Sequence, residues 1–313
     1  MDGWKQGNAT PLEGRPLVFG EVLFDLFPGG EESLGGAPFN VAWHLKGFGL
    51  DPLLITRVGQ DERGRRALQA MEGWGLDTRG VQVDPSHPTG AVRVTVREGQ
   101  PAFHILPERA YGHIQEEGVR TALEGQRLSI LCHGTLALRG PASRSALAWI
   151  REHLSVPVLV DLNLRAPWWE GRLVEEALAG ARWAKVNQEE LAQVVGRRLQ
   201  ARECSGAALS LCQRYGLELV VVTLGDQGAL AATGQGRVVR AEAAPVSRLV
   251  DTVGAGDAFT AVVMVGLLEG WEPQVMLERA NRFAAQICQV QGALTTDRAL
   301  YKAQVDAWRH GGP

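Results

Sequence analysis

The chain has 313 residues, 45% of them hydrophobic, and its 32 basic and 35 acidic side chains give a formal net charge of −3. This composition supplies a core for one large domain, and the lack of a basic excess argues against a nucleic-acid or membrane-surface partner. The four cysteines show no C-x-x-C spacing, which argues against a zinc site or a disulfide framework. Residues 1–14 lack an apolar signal-peptide region, and the longest apolar stretch, 258–268, is shorter than the roughly 20 residues of a membrane span, so we expect a cytoplasmic protein.

Elements in the first third of the chain alternate between strand and helix. Residues 1–16 are rich in Gly, Pro and polar types and predict a loose N-terminal arm. The patterns that follow predict, in chain order, a buried strand at 17–24, a helix at 38–48, a strand at 53–59 and a helix at 61–74 that ends before Gly75. This alternation is typical of parallel βαβ units.

Residues 88–110 break that rhythm. Residues 91–96 (AVRVTV) alternate apolar and polar types, 98–100 form a turn, and 103–106 predict a second strand. These features indicate a hairpin with one solvated face. Because no helix adjoins it, we place the hairpin outside the main sheet as a lid, together with the glycine-rich segment from about 25 to 36.

The strand and helix alternation then resumes to the end of the chain. Strands are predicted at 128–132, 157–162, 181–186 and 217–224, and helices at 141–154, 188–196, 203–215, 255–270 and 273–290. The predicted architecture is α/β: one domain over residues 1–313, a three-layer α/β/α sandwich with a mostly parallel central sheet and a small β lid.

The stretch 251–259 (DTVGAGDAF) carries the most chemical information. Gly254, Ala255 and Gly256 are small enough to let a ligand approach the backbone, and they open a predicted helix. The first N–H groups of a helix lack intrahelical partners and lie at the positive end of its dipole, so this turn predicts an anion site. Asp257, in the first helical turn, supplies a base. The G-x-G is weak evidence alone: neither the dinucleotide fingerprint nor a P-loop is present.

The whole of DTVGAGDAF resembles the second signature of the ribokinase-like carbohydrate kinases, the PfkB family. Residues 35–42 (GGAPFNVA) resemble that family's first signature, more than 200 residues earlier. The D-x-N-x-R motif at 161–165 resembles a motif of that family's fructokinase-like branch. The resemblance covers about residues 17–300 and implies a ribokinase-like fold and an ATP-dependent sugar kinase.

The resemblance also implies roles for individual residues. Asp257 would be the base, and the backbone of residues 254–257 would form the anion hole. Sugar binding falls to Asp25, Gly35, Gly36, Asn40, Phe103 and Arg165. The nucleotide would lie beside Asn187, Thr223, Gly225, Gly228 and Asn281. Glu190 would organise Mg²⁺ through water, and Asp251, Val253 and Gly292 match a monovalent-cation site, with K⁺ as the candidate ion.

Several alternatives stay open from the sequence. Fructose, giving fructose 6-phosphate, is the favoured acceptor, while ribose, 2-keto-3-deoxygluconate, nucleosides and sugar phosphates are others. A sugar or nucleotide sensor without turnover is a second hypothesis, against which the intact GAGD motif argues. A dinucleotide-dependent oxidoreductase is a third, opposed by the missing glycine fingerprint. The family resemblance suggests a homodimer, in which the exposed lid hairpins would pair their edges. His133 is read as packing or as a substrate contact, and Trp168 and Trp169 have no derived role.

Overall fold

The computed structural model describes residues 12–97, 100–164 and 169–312. The strands are β1 Arg15–Phe19, β2 Leu23–Leu26, β3 Glu32–Gly35, β4 Leu53–Gly59, β5 Val81–Asp84, β6 Gly90–Arg97, β7 Gln100–Ile105, β8 Leu128–His133, β9 Val158–Asp161, β10 Trp183–Asn187, β11 Leu219–Thr223, β12 Ala229–Thr233 and β13 Val238–Ala241. The helices are α1 Ala37–Gly47, α2 Glu62–Trp74, α3 Glu116–Leu123, α4 Pro141–His153, α5 Gly171–Leu178, α6 Gln188–Val195, α7 Cys204–Tyr215, α8 Ala255–Glu269, α9 Pro273–Ile287 and α10 Arg298–Arg309.

Within the described residues, a nine-stranded sheet runs in the order β13-β12-β11-β10-β9-β8-β1-β4-β5. Pairing is parallel from β11 to β5, and β12 and β13 add an antiparallel edge. The apolar runs suit a sheet that is covered on both faces. Alternate residues of one strand therefore enter different core clusters: Val220 and Val222 pack with α3 to α7, while Leu219 and Val221 pack with α1, α2, α8, α9 and α10. The predicted three-layer sandwich is confirmed.

The helix-end signals operate as expected from the sequence. Asp61 caps α2 by accepting a hydrogen bond from the Gly64 N–H at 2.8 Å, and Gly75 ends the helix with φ of 85°. The predicted helices at 141–154, 188–196 and 203–215 correspond to α4, α6 and α7 within a residue at each end. Helices α3, α5 and α10 and strands β3, β5, β12 and β13 were not predicted.

The predicted strand at 17–24 is wrong as a single element. Gly20, with φ of 150°, separates β1 in the main sheet from β2 in a second sheet. A Cβ at this position would lie 2.4 Å from Cγ of Pro38, so the chain can turn here only with glycine. The predicted arm is also too long, because Arg15 and Pro16 already pair with β8; residues 1–11 lie outside the described residues.

The lid is a four-stranded sheet in the order β3-β2-β6-β7. Strands β6 and β7 form the predicted antiparallel hairpin, and β2 joins it in parallel, with Asp25 opposite Val92. The segments near 25–36 and 88–110 thus form one small sheet outside the main one. In the described part of the chain no helix is both long and apolar enough to cross a bilayer.

Candidate active site

Polar residues gather where the parallel strands of the main sheet end. Strand β8 ends at His133, β9 at Asp161, β10 at Asn187 and β11 at Thr223. In open α/β sheets, ligands bind outside the carboxyl ends of the strands, where the following loops and helix N-termini converge. The N-terminus of α8 reaches the same edge, because Thr260 in its second turn bonds to Asp161.

The α8 N-terminus has the geometry of an anion site. Gly254 takes the left-handed conformation, with φ of 78° and ψ of −7°, and the Ala258 N–H makes the first i to i−4 bond, 2.8 Å to the Gly254 carbonyl. The N–H groups of Gly256 and Asp257 precede that bond. Small side chains and the positive end of the helix dipole make this turn suited to phosphate oxygens.

Asn40 links the acid of α8 to the glycine turn of the lid. Its Nδ2 donates to Oδ2 of Asp257 at 2.7 Å, across 217 residues of sequence. Asn40 is buried, and its Oδ1 has no hydrogen-bond partner in the described part of the chain. A Cβ on Gly35 would lie 3.7 Å from that oxygen, and Gly36 adopts φ of 117° where a Cβ would meet the Glu21 carbonyl at 2.6 Å. A buried acceptor that faces a glycine turn is available to a ligand hydroxyl.

A buried cation lies directly behind the α8 turn. Lys185 Nζ lies 3.0 and 3.3 Å from the two carboxylate oxygens of Asp161, and both residues are almost fully buried. Thr260 Oγ1 donates to Asp161 Oδ2 at 2.7 Å and is 2.9 Å from the Gly256 carbonyl. This chain of contacts joins the ends of β9 and β10 to the first turn of α8.

The charges around this lysine compensate for its burial. Burial opposes the ammonium form, but the negative charges of Asp161, Glu190 and Asp257 outweigh it and raise the pKa of the lysine. A Cβ added at Gly256 would lie 3.5 Å from the ammonium, so the cation is immediately beneath the anion turn. Sequence reasoning missed the role of Lys185, although a lysine and an aspartate in otherwise apolar strands were a usable signal.

Asn187 and Glu190 form a capping box at the start of α6. Asn187 Oδ1 accepts from the Glu190 N–H at 2.8 Å, and Glu190 Oε2 accepts from the Asn187 N–H at 2.8 Å. Glu190 Oε1 also accepts from the Leu164 N–H at 2.9 Å, which ties α6 to the loop after β9. Burial raises the pKa of Glu190, and the nearby Lys185 charge opposes that rise.

The predicted nucleotide residues line the neighbouring loops. Thr223 ends β11, and Gly225 and Gly228, both with positive φ, bound a tight turn in which Leu224 N–H bonds the Gly228 carbonyl. Asn281 is buried on α9, where its Nδ2 donates to the Ala241 and Glu242 carbonyls at 3.2 and 2.9 Å. It anchors the loop beside a cavity of about 480 Å³ lined by Glu242, Ala244, Pro245, Glu278, Arg282, Ala285, Gln286 and Gln289.

The three residues of the predicted monovalent-cation site lie together. Asp251 Oδ1 accepts from the Val253 N–H at 2.9 Å, and its Oδ2 accepts from the Gly292 N–H at 3.1 Å. The carboxylate therefore fixes the loop after β13 against the loop after α9, immediately before the α8 turn.

Two of the predicted sugar-binding residues, Asp25 and Phe103, lie in strands of the lid. Asp25 lies in β2 opposite Ser33, and Phe103 lies in β7 opposite Val94. Phe103 shares its strand face with the buried Ile105, yet its side chain is 51% exposed, which leaves an apolar surface for a ligand or a partner. Arg165 and Trp168 lie outside the described residues, and the homodimer stays a prediction.

His133 is packed inside the protein at the end of β8. It is buried, its Nδ1 lies 2.9 Å from the Gly134 carbonyl, and burial lowers its pKa to about 4. Its neutral ring therefore donates from Nδ1, and Nε2 is buried without a partner among the described residues. Trp169 packs at the edge of the core cluster formed with α3 to α7.

The fold, and the polar groups at the carboxyl ends of its parallel strands, define an α/β phosphotransferase-like protein with an anion turn beside a carboxylate. Comparison with known proteins agrees: the model of the pfkB family carbohydrate kinases matches residues 21–299. The fructokinase of Klebsiella pneumoniae is 31% identical over 300 residues, which cover 91% of this chain and 94% of that protein.

Solved structures resemble the chain over nearly its whole length. A sugar kinase from Pyrococcus horikoshii in complex with ATP has a TM-score of 0.78 at 26% identity, covering 94% of this chain and 99% of that one. A double mutant of Vibrio cholerae fructokinase with fructose, ADP and potassium bound has a TM-score of 0.77 at 27% identity, with the same coverage. The chain belongs to the pfkB family of carbohydrate kinases, and the predicted resemblance to its fructokinase-like branch is confirmed.

Proposed function

We propose that the chain is a single kinase domain that transfers the γ-phosphoryl group of ATP to the primary hydroxyl of a sugar, with fructose as the acceptor and fructose 6-phosphate as the product. The observation that carries this proposal is the 2.7 Å bond between Asn40 Nδ2 and Asp257 Oδ2. It joins the acid at the anion turn to an amide whose oxygen faces the glycine turn of the lid. Sugar and phosphate would therefore meet at Asp257.

In the proposed reaction, Asp25, Gly36 and Asn40 hold sugar hydroxyls, and the lid closes over the sugar with Phe103 against it. Closure excludes water, which would otherwise compete as the acceptor. Asp257 takes the proton of the attacking hydroxyl as its oxygen bonds to the γ-phosphorus. The bond from that phosphorus to the bridging oxygen of ADP breaks, and ADP leaves.

The backbone of the α8 turn would stabilise charge on the transferring group. Its N–H groups, from Gly254 to Asp257, are fixed by the helix and need no reorganisation during transfer. The buried Lys185 ammonium beneath Gly256 adds positive charge at the same place. The Lys185 contact to Asp161 and the Thr260 bridge hold this turn against the sheet.

Mg²⁺ is the proposed metal, organised by Asn187 and Glu190 through water. Both side chains offer oxygen donors, and each Glu190 oxygen that accepts one N–H bond keeps a second lone pair for a metal-bound water. Bound Mg²⁺ would neutralise the polyphosphate charge of ATP. The adenine would enter the cavity beside Asn281 and the turn of Gly225 and Gly228.

K⁺ is the proposed monovalent ion, held near Asp251, the Val253 carbonyl and Gly292. The Asp251 carboxylate supplies a negative charge there, and it already fixes both neighbouring segments through their N–H groups. An ion at this position would steady the backbone that leads into Gly254. Stability and turnover measured in K⁺ and in tetramethylammonium test this: equal values would contradict a K⁺ site.

Fructose is favoured because a similar protein of Klebsiella pneumoniae is named a fructokinase. The similar Vibrio cholerae fructokinase structure also contains bound fructose. Ribose, 2-keto-3-deoxygluconate, a nucleoside or a sugar phosphate are the alternatives. Arg93, exposed on β6, is a cation that a sugar phosphate would need.

The first experiment measures ADP release with Mg-ATP against fructose, ribose, 2-keto-3-deoxygluconate, fructose 6-phosphate and adenosine. We expect fructose to give the highest kcat/KM. Asp257→Asn should keep the fold and lose at least about 10²-fold in kcat, because a positioned base contributes about 10² to 10⁴. The surface variant Asp306→Asn is the control. Near wild-type turnover in Asp257→Asn removes the base role, and binding of ATP and sugar without ADP release favours a sensor.

A matched pair of variants tests the metal role. Glu190→Gln should raise the Mg²⁺ concentration needed for half-maximal rate, because it removes the charge near the metal. Glu189→Gln alters the adjacent exposed acid of the same helix turn and should leave that concentration unchanged. Equal behaviour of the two variants would contradict the assignment.

A further inference from the structure

A second cluster of ligand-type side chains lies at the base of the lid, away from the α8 turn. His87 precedes β6, and Glu108 and His113 follow β7, so the cluster joins the segment that enters the hairpin to the segment that leaves it. One donor atom from each of the three lies within 4.8 Å of the others. None of them takes part in the proposed phosphoryl transfer.

The donor state of His87 follows from its partner. Its Nδ1 lies 3.0 Å from Oδ2 of Asp84, a buried carboxylate that also contacts Arg57 Nε at 2.8 Å. The other oxygen, Oδ1, accepts from the backbone N–H groups of Ser86 and His87 at 2.8 and 3.0 Å, so the carboxylate is fixed as an acceptor. Nδ1 of His87 therefore donates to Asp84, and Nε2 is the nitrogen of that ring left to face an ion. Histidines that bind metal ions usually donate their other ring N–H to a carboxylate or carbonyl in this way, which orients the ring.

The distances among the donors suit a small divalent ion. His113 Nε2 lies 3.7 Å from Glu108 Oε2. Two ligand atoms of a tetrahedral ion with bonds near 2.1 Å are about 3.4 Å apart, so this pair needs little movement. Glu108 is 82% exposed and can adjust, although its backbone takes a φ of 50°, which is uncommon for a side chain of this type.

The two imidazoles need a rotation before both can bind one ion. Their rings are stacked, with centroids 3.5 Å apart and an angle of 12° between planes. Lone pairs lie in the ring planes, so one ring must turn to direct its nitrogen at a shared ion. Asp84 holds His87 in place, so the ring that must turn is that of His113, whose side chain is about a quarter exposed.

We propose that His87, Glu108 and His113 form a site for a borderline divalent metal ion, Zn²⁺ or its chemical neighbours Ni²⁺ and Co²⁺, that fastens the two ends of the lid hairpin. Two imidazoles and one carboxylate suit these ions, and a single oxygen donor does not suit Mg²⁺ or Ca²⁺. Three protein ligands leave a position for water. The Ala110 N–H already bonds the Pro88 carbonyl at 2.9 Å across the same base, so an ion would add a second tie there.

The test uses the full, untagged chain without nucleotide, titrated with Zn²⁺ or Ni²⁺ by calorimetry and by thermal unfolding. We expect one ion per chain and a rise in Tm, because an ion that binds only the folded state stabilises it. His113→Ala and Glu108→Gln should each weaken binding by at least about tenfold. His310→Ala and Glu117→Gln, exposed positions outside the cluster, should bind as the wild type does.

Two results would overturn the proposal. One is the absence of binding to the wild-type chain. The other is binding that is equal in wild type, His113→Ala and Glu108→Gln, which would place the ion elsewhere. Since Glu108→Gln changes only an exposed side chain, it keeps the test valid if His113→Ala fails to fold. Co²⁺ gives a further readout, because its visible absorption reports tetrahedral nitrogen and oxygen ligation and should be lost in both variants.

Discussion

Gly254→Ala should damage stability and turnover together, because the α8 turn has no room for a side chain. The residue has φ of 78°, and an alanine in the left-handed region costs about 1–2 kcal/mol. Its Cβ would lie 2.4 Å from Cβ and 2.5 Å from Cα of Ala293, where carbon atoms normally stay about 3.5–4.0 Å apart. Relief of that overlap needs a shift of more than about 1 Å, and overpacking of this kind costs about 1–3 kcal/mol.

The expected loss in the free energy of unfolding is therefore about 2–5 kcal/mol. A shift of this size would move the N–H groups of the anion turn, and a 1 Å misplacement can lower kcat by about 10²-fold. Urea unfolding and ADP release measure the two effects.

Gly196→Ala is the matched control for this variant. Gly196 ends α6 with φ of 73°, but a Cβ there meets no heavy atom within 4 Å. Gly196→Ala should lose only the cost of placing alanine in the left-handed conformation, about 1–2 kcal/mol of unfolding free energy, and it should keep its kcat. The reasoning fails if Gly254→Ala is no less stable than Gly196→Ala and its kcat stays within about threefold of wild type, a barrier change under 1 kcal/mol.

Three further predictions concern individual polar side chains. Lys185→Met leaves Asp161 buried without its cation and should lower the free energy of unfolding, measured in urea, by about 3–5 kcal/mol. The control Lys46→Met, at a partly exposed ion pair, should lower it by under about 1 kcal/mol. Equal losses in the two variants would refute the buried-pair argument. Burial lowers the pKa of His133 to about 4 in the folded chain, against 6.5 in the unfolded chain. Between these pH values the unfolded chain binds more protons, so the free energy of unfolding falls by up to about 3 kcal/mol as the pH drops from 6.5 to 4. His133→Gln should flatten that slope in urea unfolding at several pH values, and an unchanged slope would place the titration elsewhere. Asn187→Ala removes the capping box of α6 and should cost about 1 kcal/mol in thermal unfolding, with no loss contradicting the cap.

Local chemistry explains which elements could be predicted. Helix α2 has an aspartate at its N-cap and a glycine in the left-handed conformation at its end, and both signals lie within a few residues of the ends they mark. The lid hairpin has period-two alternation on either side of a short turn. Each feature depends on neighbours in sequence, so it needs no knowledge of the fold.

Elements with weak local signals were missed or merged. The apolar run 17–24 continues through Gly20, and only the contact with Pro38 shows that the chain must leave the main sheet there. Strands β12 and β13 are short antiparallel strands, of which β12 pairs with β11 and β13 pairs with β12. Their partners are near in sequence, but the segments ALAAT and VVRA are too short to show a strand pattern of their own.

The sequence by itself determined the family and the alternation of strands and helices, and it predicted the anion turn with its acid at Asp257, because glycine positions, apolar periodicity and the two signatures are local properties. Only the tertiary structure decided that Asn40 bonds to that acid, that Lys185 and Asp161 are paired behind it, and that His87 meets His113 at the base of the lid. Those contacts join residues from separate elements. Their geometry follows from how the sheet and helices pack, and side-chain identity alone does not specify it.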